Sequence, residues 1–143
     1  MANEHLLLTQ KTFPISMTCA VGTGIEKGSV LKLSDENTVA ASTAANDLVA
    51  GVAYAEKIAN NGMVQIAVLA GPGDELRAIA SGSIGVGDPL VTAVGPTSNY
   101  LASGVGLSVT ELSGTRVLGF SKATATVGQT FRYVLNIGSL PRV

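Results

Sequence analysis

The apolar residues of this chain recur mostly at every second position, which is typical of β-strands with one buried face. Val64, Ile66 and Val68 share one face of the run 63–68, and the run 130–137 repeats the alternation. The pattern predicts short strands along most of the chain. They are expected near residues 28–33, 38–42, 48–54, 62–69, 75–80, 88–93, 99–102, 105–110, 115–121 and 129–137.

Clusters of glycine, proline, aspartate and asparagine separate these runs. They lie at residues 27–28, 35–37, 60–62, 71–74, 86–89 and 95–96. Glycine permits a positive φ, and proline fixes φ and lacks an N–H, so each cluster is expected to end a strand. About ten short strands between such turns predict an all-β barrel or sandwich, with at most one or two helical turns in 40–47 or 53–59.

The order of turns and strands occurs twice along the chain. Gly28 and Gly62 stand at turns of the first half, where Gly87 and Gly128 stand in the second. An internal repeat of this kind predicts two related β-units, here residues 24–70 and 82–137. Because each half is too short for a secure core of its own, the two are expected to interlock in a single domain spanning residues 24–143.

Residues 1–23 precede the repeat and are apolar without clear alternation. Such a segment can cover the core or reach a partner, and we interpret it as an extended N-terminal arm. On this hypothesis, removing residues 2–15 leaves the β-domain folded. The candidate contact residues of the arm are Leu6, Leu7, Leu8, Phe13, Pro14 and Ile15.

Charge and hydropathy exclude several classes of partner. The chain has 9 basic and 10 acidic residues without a cationic cluster, which argues against nucleic-acid binding. The chain has no uninterrupted run of about 18 apolar residues, so we expect no membrane-spanning segment. With 46% hydrophobic and 13% charged residues, little surface charge opposes association with other subunits.

No catalytic, cofactor-binding or metal-binding residues are predicted, and the protein is not expected to be an enzyme. His5 and Cys19 are the only residues of their types, and we interpret His5 as a surface histidine near a mobile end and Cys19 as a small buried hydrophobe. The acidic pairs 35–36 and 74–75 belong to turns and are interpreted as solvated. Residues 22–29 have the lysine and glycine of a phosphate loop transposed, and a strand follows instead of a helix.

The order of several short segments resembles the head-decoration, or capsid cement, proteins of tailed bacteriophages over residues 24–137. The segments are 27–30, 49–53, 62–66, 86–90, 117–119 and 128–131. The resemblance implies a compact barrel-like or β-tulip domain. A longer 106–116 stretch departs from the matching part of the first half.

The resemblance also implies a function. It is that of a structural virion protein, assembled in the host cytoplasm, that binds the outer surface of an icosahedral head and stabilises it by bridging major-capsid subunits, usually as a homotrimer and with its N-terminal segment along the capsid. Two other classes stay open. The first is a carbohydrate- or cell-surface-binding β-domain, which is disfavoured because only 4% of the residues are aromatic and the chain has no tryptophan. The second is a small enzyme built around a β-barrel.

Overall fold

The computed structural model describes residues 4–93, 99–108, 112 and 116–137. Within these residues the chain forms eleven strands and no helix of two turns, so the predicted all-β class is confirmed. The strands are β1 (Leu6–Thr9), β2 (Ile15–Cys19), β3 (Val30–Asp35), β4 (Thr38–Ala41), β5 (Val49–Ala53), β6 (Gln65–Leu69), β7 (Glu75–Ile79), β8 (Pro89–Thr92), β9 (Leu101–Ser103), β10 (Gly119–Ser121) and β11 (Thr130–Leu135).

The strands form a closed barrel and an open sheet. The barrel has the order β2-β4-β3-β5-β6, and the six-stranded sheet has the order β1-β7-β11-β10-β8-β9. Within these ladders all neighbours are antiparallel except β2 and β4, whose parallel pairing closes the barrel. Closing a sheet on itself pairs its outer strands and leaves a filled interior, although β2 and β4 pair here only at Thr18 and Cys19.

Two apolar clusters make the core, and β5 lies between them. Val49 and Val52 belong to a cluster shared with the six-stranded sheet, whereas Ala50 and Ala53 belong to the barrel interior. All five residues of β5 are buried because both of its faces are covered. The shared cluster joins the barrel and the sheet into one folded body.

The two halves have the same strand order. Starting from its third strand, the first unit reads β4-β3-β5-β6-β2, and the second reads β9-β8-β10-β11-β7. Each unit therefore begins one strand earlier than residues 24 and 82, at β2 and β7. The repeat bounds left these two strands out because their side chains differ, although a strand was predicted over 75–80 and both strands pair antiparallel with the last strand of their unit.

The N-terminal segment is part of both sheets. β1 pairs with β7 at the edge of the open sheet, and β2 lies between β6 and β4 in the barrel. The expectation that residues 1–23 form an extended arm outside the domain is therefore wrong for the described part of that segment, which begins at Glu4. β1 reads Leu-Leu-Leu-Thr and has no alternation, whereas the five residues of β2 do alternate apolar and polar side chains, a signal that the interpretation as an arm missed. Pairing with β7 makes the first segment a strand, and pairing with β6 and β4 places the second in the barrel.

A second difference concerns the stretch after β9. The predicted strand over 105–110 is wrong for residues 105–108, where Leu107 N–H donates to Gly104 C=O at 3.1 Å in a turn. Gly106 has a φ of 91°, which suits a turn and not a strand. Residues 109–110 lie outside the described residues. In the strand expected over 115–121, the described residues 116–121 form a strand only at β10, and residue 115 lies outside the described residues.

Candidate partner-contact surface

The loop between β1 and β2, residues 10–14, displays a nearly fully exposed aromatic ring. Phe13 is 92% exposed, and Ile15 directly after the loop is 52% exposed. Burying a phenylalanine side chain is worth about 2–3 kcal/mol, so a ring held in water is a candidate for burial against a partner. Aromatic anchors of this kind dominate the binding energy of many interfaces.

Asp74 holds this loop in place. Its carboxylate accepts hydrogen bonds from the backbone N–H groups of Lys11 and Thr12, the latter at 2.9 Å, and from the Thr12 hydroxyl at 2.5 Å. Asp74 is fully buried, which corrects its interpretation as solvated, whereas Glu75 is partly exposed. Three charge-assisted bonds fasten the residues directly before Phe13.

A second set of bonds ties the loop to the barrel. The Tyr54 hydroxyl donates to Gln10 Oε1 at 3.0 Å, and Gln10 Nε2 donates to Thr12 C=O at 2.9 Å. The loop is therefore ordered without a partner. Pre-ordering lowers the conformational entropy lost on binding, which favours Phe13 as a contact residue.

The six predicted contact residues do not share one environment. Phe13 and Ile15 are exposed with Leu6, which is 48% exposed, whereas Leu8 and Pro14 are half-buried. Leu7 packs against the core cluster shared by both sheets, because its pairing with Leu76 turns it inward. Their contact with a capsid stays a prediction.

A second group of exposed apolar side chains lies beyond the other end of β2. Val21 follows that strand, and its carbonyl accepts a hydrogen bond from Asn60 N–H at 2.8 Å, which brings the β5–β6 connection beside it. The group consists of Val21, Ile58, Met63 and Val64. The barrel thus presents apolar side chains at both ends of one strand.

His5 is buried, so its interpretation as a surface residue is wrong. Its Nδ1 lies 2.5 Å from the Tyr133 hydroxyl oxygen, and its Nε2 lies 2.6 Å from Asn99 C=O. Because a carbonyl can only accept, Nε2 is assigned the proton, and Nδ1 accepts from the Tyr133 hydroxyl. Burial lowers the pKa of His5 to about 4 and raises the pKa of Tyr133, so both groups are neutral at pH 7.

His5 connects the N-terminal segment to both units. Its backbone N–H donates to Gly28 C=O at 2.8 Å in the first unit, and Asn99 in the second unit accepts from Val30 N–H at 2.9 Å through Oδ1. Both ring nitrogens are used in this network. The imidazole is therefore structural, and its role could not be recognised from a single histidine near the start of the chain.

Other polar groups in the described structure also have structural partners. The Lys57 ammonium is buried and donates to the carbonyls of Val21 at 2.9 Å and Thr23 at 2.8 Å. Cys19 is a free, buried thiol inside the barrel, as expected. Among residues 4–93, 99–108, 112 and 116–137, no group of three or more His, Cys, Asp or Glu side chains could hold a metal ion.

A cleft of about 500 Å³ opens between β1 and the barrel. Leu6, Leu7 and Val52 line it together with Tyr54, and the Lys27 ammonium lies 6.0 Å from the Tyr54 ring centroid. The lining is mainly apolar. Within the described part of the chain, no helix is long and apolar enough to cross a membrane.

The chain is similar in structure to a known phage protein. No protein-family model and no curated protein sequence matches this chain. Among solved structures, the N base of the head fibre gp8.5 of bacteriophage phi29 superposes with a TM-score of 0.53. The match covers 90% of this chain and 99% of the phi29 chain at 19% identity, and at this identity it establishes a shared fold.

Proposed function

We propose that this protein is a structural component of a phage virion that binds the outer surface of the head. The observation that carries the proposal is the fold shared with a head fibre base over 90% of this chain and nearly all of that one. The pre-ordered loop with Phe13 at its tip supplies a surface suited to such attachment. The resemblance of residues 24–137 to capsid cement proteins supports the same role.

We further propose that the protein stabilises the capsid by bridging major-capsid subunits, as a homotrimer on the head. A bridging protein needs more than one contact surface, and apolar side chains flank both ends of β2. Many modest contacts repeated by capsid symmetry give strong retention through avidity. A formal net charge of −1 leaves little electrostatic repulsion between neighbouring copies.

A non-enzymatic role is part of this proposal. Both ring nitrogens of His5 are hydrogen-bonded, to Tyr133 and Asn99. Cys19 lies in the apolar cluster inside the barrel, whereas Tyr133 belongs to the cluster shared with the six-stranded sheet. A nucleophile and its base must lie within hydrogen-bond reach of each other. These two side chains therefore do not form a catalytic pair.

Reconstitution on phage heads tests the proposal. Purified protein is added to heads of the phage that encodes it, prepared without the protein, and binding is measured by co-sedimentation and cryo-electron microscopy. We expect saturable binding, ordered density on the outer surface and a higher temperature of head disruption. Absence of binding would contradict the virion role. Binding without a higher disruption temperature would contradict only the proposal that the protein stabilises the capsid.

A further inference from the structure

The edge of β7 shows how this fold accepts an added strand. β7 pairs with β11 on one side and with β1 on the other, where Leu6 lies opposite Arg77 and Leu7 opposite Leu76. β1 is antiparallel to β7 and brings His5 to Asn99 C=O. An apolar strand with a hydrogen-bond donor at its N-terminal end therefore fits this position.

β2 is the equivalent of β7 in the first unit. The parallel pair Cys19 and Val39 corresponds to the parallel bridge between Ala80 and Leu101. The hydrogen bond from Cys19 N–H to Val64 C=O and that from Ala80 N–H to Gln129 C=O are both 2.9 Å long. Counting back along both strands, Ser16 corresponds to Arg77.

The position that β1 fills on β7 is open on β2. β4 pairs with β2 only at Thr18 and Cys19, and no strand of the described residues lies beside Ile15–Met17 on the side away from β6. Backbone groups alternate between the two sides of a strand. Since Cys19 N–H points to β6 and Thr18 N–H donates to Asn37 C=O, the N–H and C=O of Ser16 point outward.

The surroundings of this edge define the chemistry of an occupant. Ile15 and Ser16 are exposed beside Phe13, which favours an apolar strand. The β3–β4 turn carries the exposed carboxylates of Asp35 and Glu36 next to Asn37, the counterpart of Asn99. A strand antiparallel to β2, placed as β1 is on β7, would bring its N-terminal end to these carboxylates.

We propose that the edge of β2 at Ser16 binds an extended apolar segment of the major capsid protein, antiparallel to β2, with a lysine or arginine at its N-terminal end. The identity of this partner rests on the proposed function, whereas the recognition chemistry rests on the edge itself. Strand addition supplies main-chain hydrogen bonds, and side-chain pockets supply specificity. The β1 strand of a second copy is not the occupant, because each copy uses β1 on its own β7.

The first test uses a synthetic peptide with the sequence of residues 5–10 in which lysine replaces His5, so that it combines an apolar strand with the cationic N-terminal residue of the proposed occupant. Hydrogen exchange of the Ser16 amide is followed by NMR with and without the peptide. We expect saturable binding that slows exchange at Ser16 by about tenfold or more at saturation, with chemical-shift changes in β2 and the β3–β4 turn. Unchanged exchange at Ser16, or changes confined to β7, would overturn the proposal.

Two variants separate main-chain pairing from side-chain contact. Ser16→Pro removes the outward N–H, which β6 does not use, and Ser16→Ala keeps this N–H while losing the hydroxyl that donates to Gln65 at 3.1 Å. We expect Ser16→Pro to weaken peptide binding about tenfold or more and Ser16→Ala to change it less than about twofold. Equal binding by both folded variants would refute strand addition. If circular dichroism shows that Ser16→Pro is unfolded, the hydrogen exchange of the Ser16 amide in the wild-type protein decides whether the peptide binds at this edge.

Other occupants give different results. Protection of the Ser16 amide in the free protein that disappears when residues 138–143 are removed would assign the edge to the chain's own terminus and overturn the proposal. Protection that grows with protein concentration would assign it to a second copy, with the same consequence. On phage heads, equal retention of wild type and Ser16→Pro would refute this inference while the virion role stands. Peptide binding without head binding would refute the virion role, and with it the partner named here.

Discussion

The imidazole of His5 and the hydroxyl of Tyr133 form a buried hydrogen bond of 2.5 Å between residues 128 positions apart in the chain. The two rings meet edge to face with their centroids 5.4 Å apart. The contact fastens the segment before β1 to the interior of β11. Because both side chains are buried, the bond also satisfies two polar groups that would otherwise be costly to remove from water.

The neutral His5 makes stability depend on pH. Its pKa is about 4 in the folded protein, below the 6.5 of a free histidine, so the unfolded chain binds the proton more readily. The contribution of the neutral His5 to the free energy of unfolding is therefore fully present above pH 6.5, and it is lost as the pH falls towards 4. Between pH 7 and pH 5 we expect the free energy of unfolding to drop by about 2 kcal/mol, measured by urea denaturation.

His5→Phe is the control for this pH dependence. It removes the titrating group and keeps an aromatic ring, so the pH 7 to pH 5 difference should shrink by most of the same amount even though the variant is less stable. Tyr133→Phe should cost about 1–3 kcal/mol at pH 7, since Nδ1 of His5 loses its donor. An unchanged pH difference in His5→Phe would show that other groups cause it.

Gly28 and Gly87 occupy equivalent turns, but only Gly28 is closely packed. Their φ angles are 90° and 83°, which confirms the positive φ expected at both turns. A Cβ at Gly28 would lie 2.4 Å from the carbonyl oxygen of His5, whereas a Cβ at Gly87 would meet no atom within 4 Å. We expect Gly87→Ala to cost about 1 kcal/mol and Gly28→Ala about 3 kcal/mol or more, measured by thermal melts. Equal costs would mean that the approach of His5 adds no strain.

Removal of residues 2–9 is expected to destabilise the whole domain. The deletion takes away β1, the core contact of Leu7 and the network of His5, and it exposes the edge of β7. The structure thus reverses the expectation that truncation of the N-terminal segment leaves stability unchanged. We expect a loss of about 4 kcal/mol or more, measured by chemical denaturation. Near-native stability would show that β1 is dispensable.

Phe13→Ser should separate binding from folding. The ring makes little contact with the rest of the protein, so stability should change by less than about 0.5 kcal/mol. Loss of an interface anchor typically costs about 2 kcal/mol or more, so retention on heads should fall about thirtyfold. Val127→Ser, on a turn of the second unit and 70% exposed, is the matched control and should leave retention unchanged. Full retention of Phe13→Ser in co-sedimentation would remove this residue from the contact surface.

Asp74→Asn should loosen the loop that carries Phe13. The carboxylate accepts from two backbone N–H groups and one hydroxyl, and an amide of the same size replaces one acceptor oxygen by a donor. We expect a stability loss of about 2–3 kcal/mol and faster hydrogen exchange at Lys11 and Thr12. Glu75→Gln provides the neighbouring control, because Glu75 makes a partly exposed ion pair with Lys122. Slow exchange at both amides in Asp74→Asn would contradict this anchoring role.

The all-β class, the positions of the turns and the repetition of the two units could be predicted from the sequence. Alternation in β6 and β11 is visible because one face of each is buried, and Gly28 and Gly87 mark equivalent turns because their φ is positive. These features depend on neighbouring residues only. They can therefore be inferred without knowing which strands pair.

Long-range pairing decided the rest. β1 has no alternation and becomes a strand because the edge of β7 supplies hydrogen-bonding partners. β2 alternates over its five residues, but this local pattern does not show that β6 and β4 are its partners in the barrel. His5 and Asp74 have unremarkable sequence neighbours, and their burial depends on Tyr133 and Thr12, more than 60 residues away in the chain in each case. Contacts of this length leave no local periodicity, so they emerge only when the whole chain is packed.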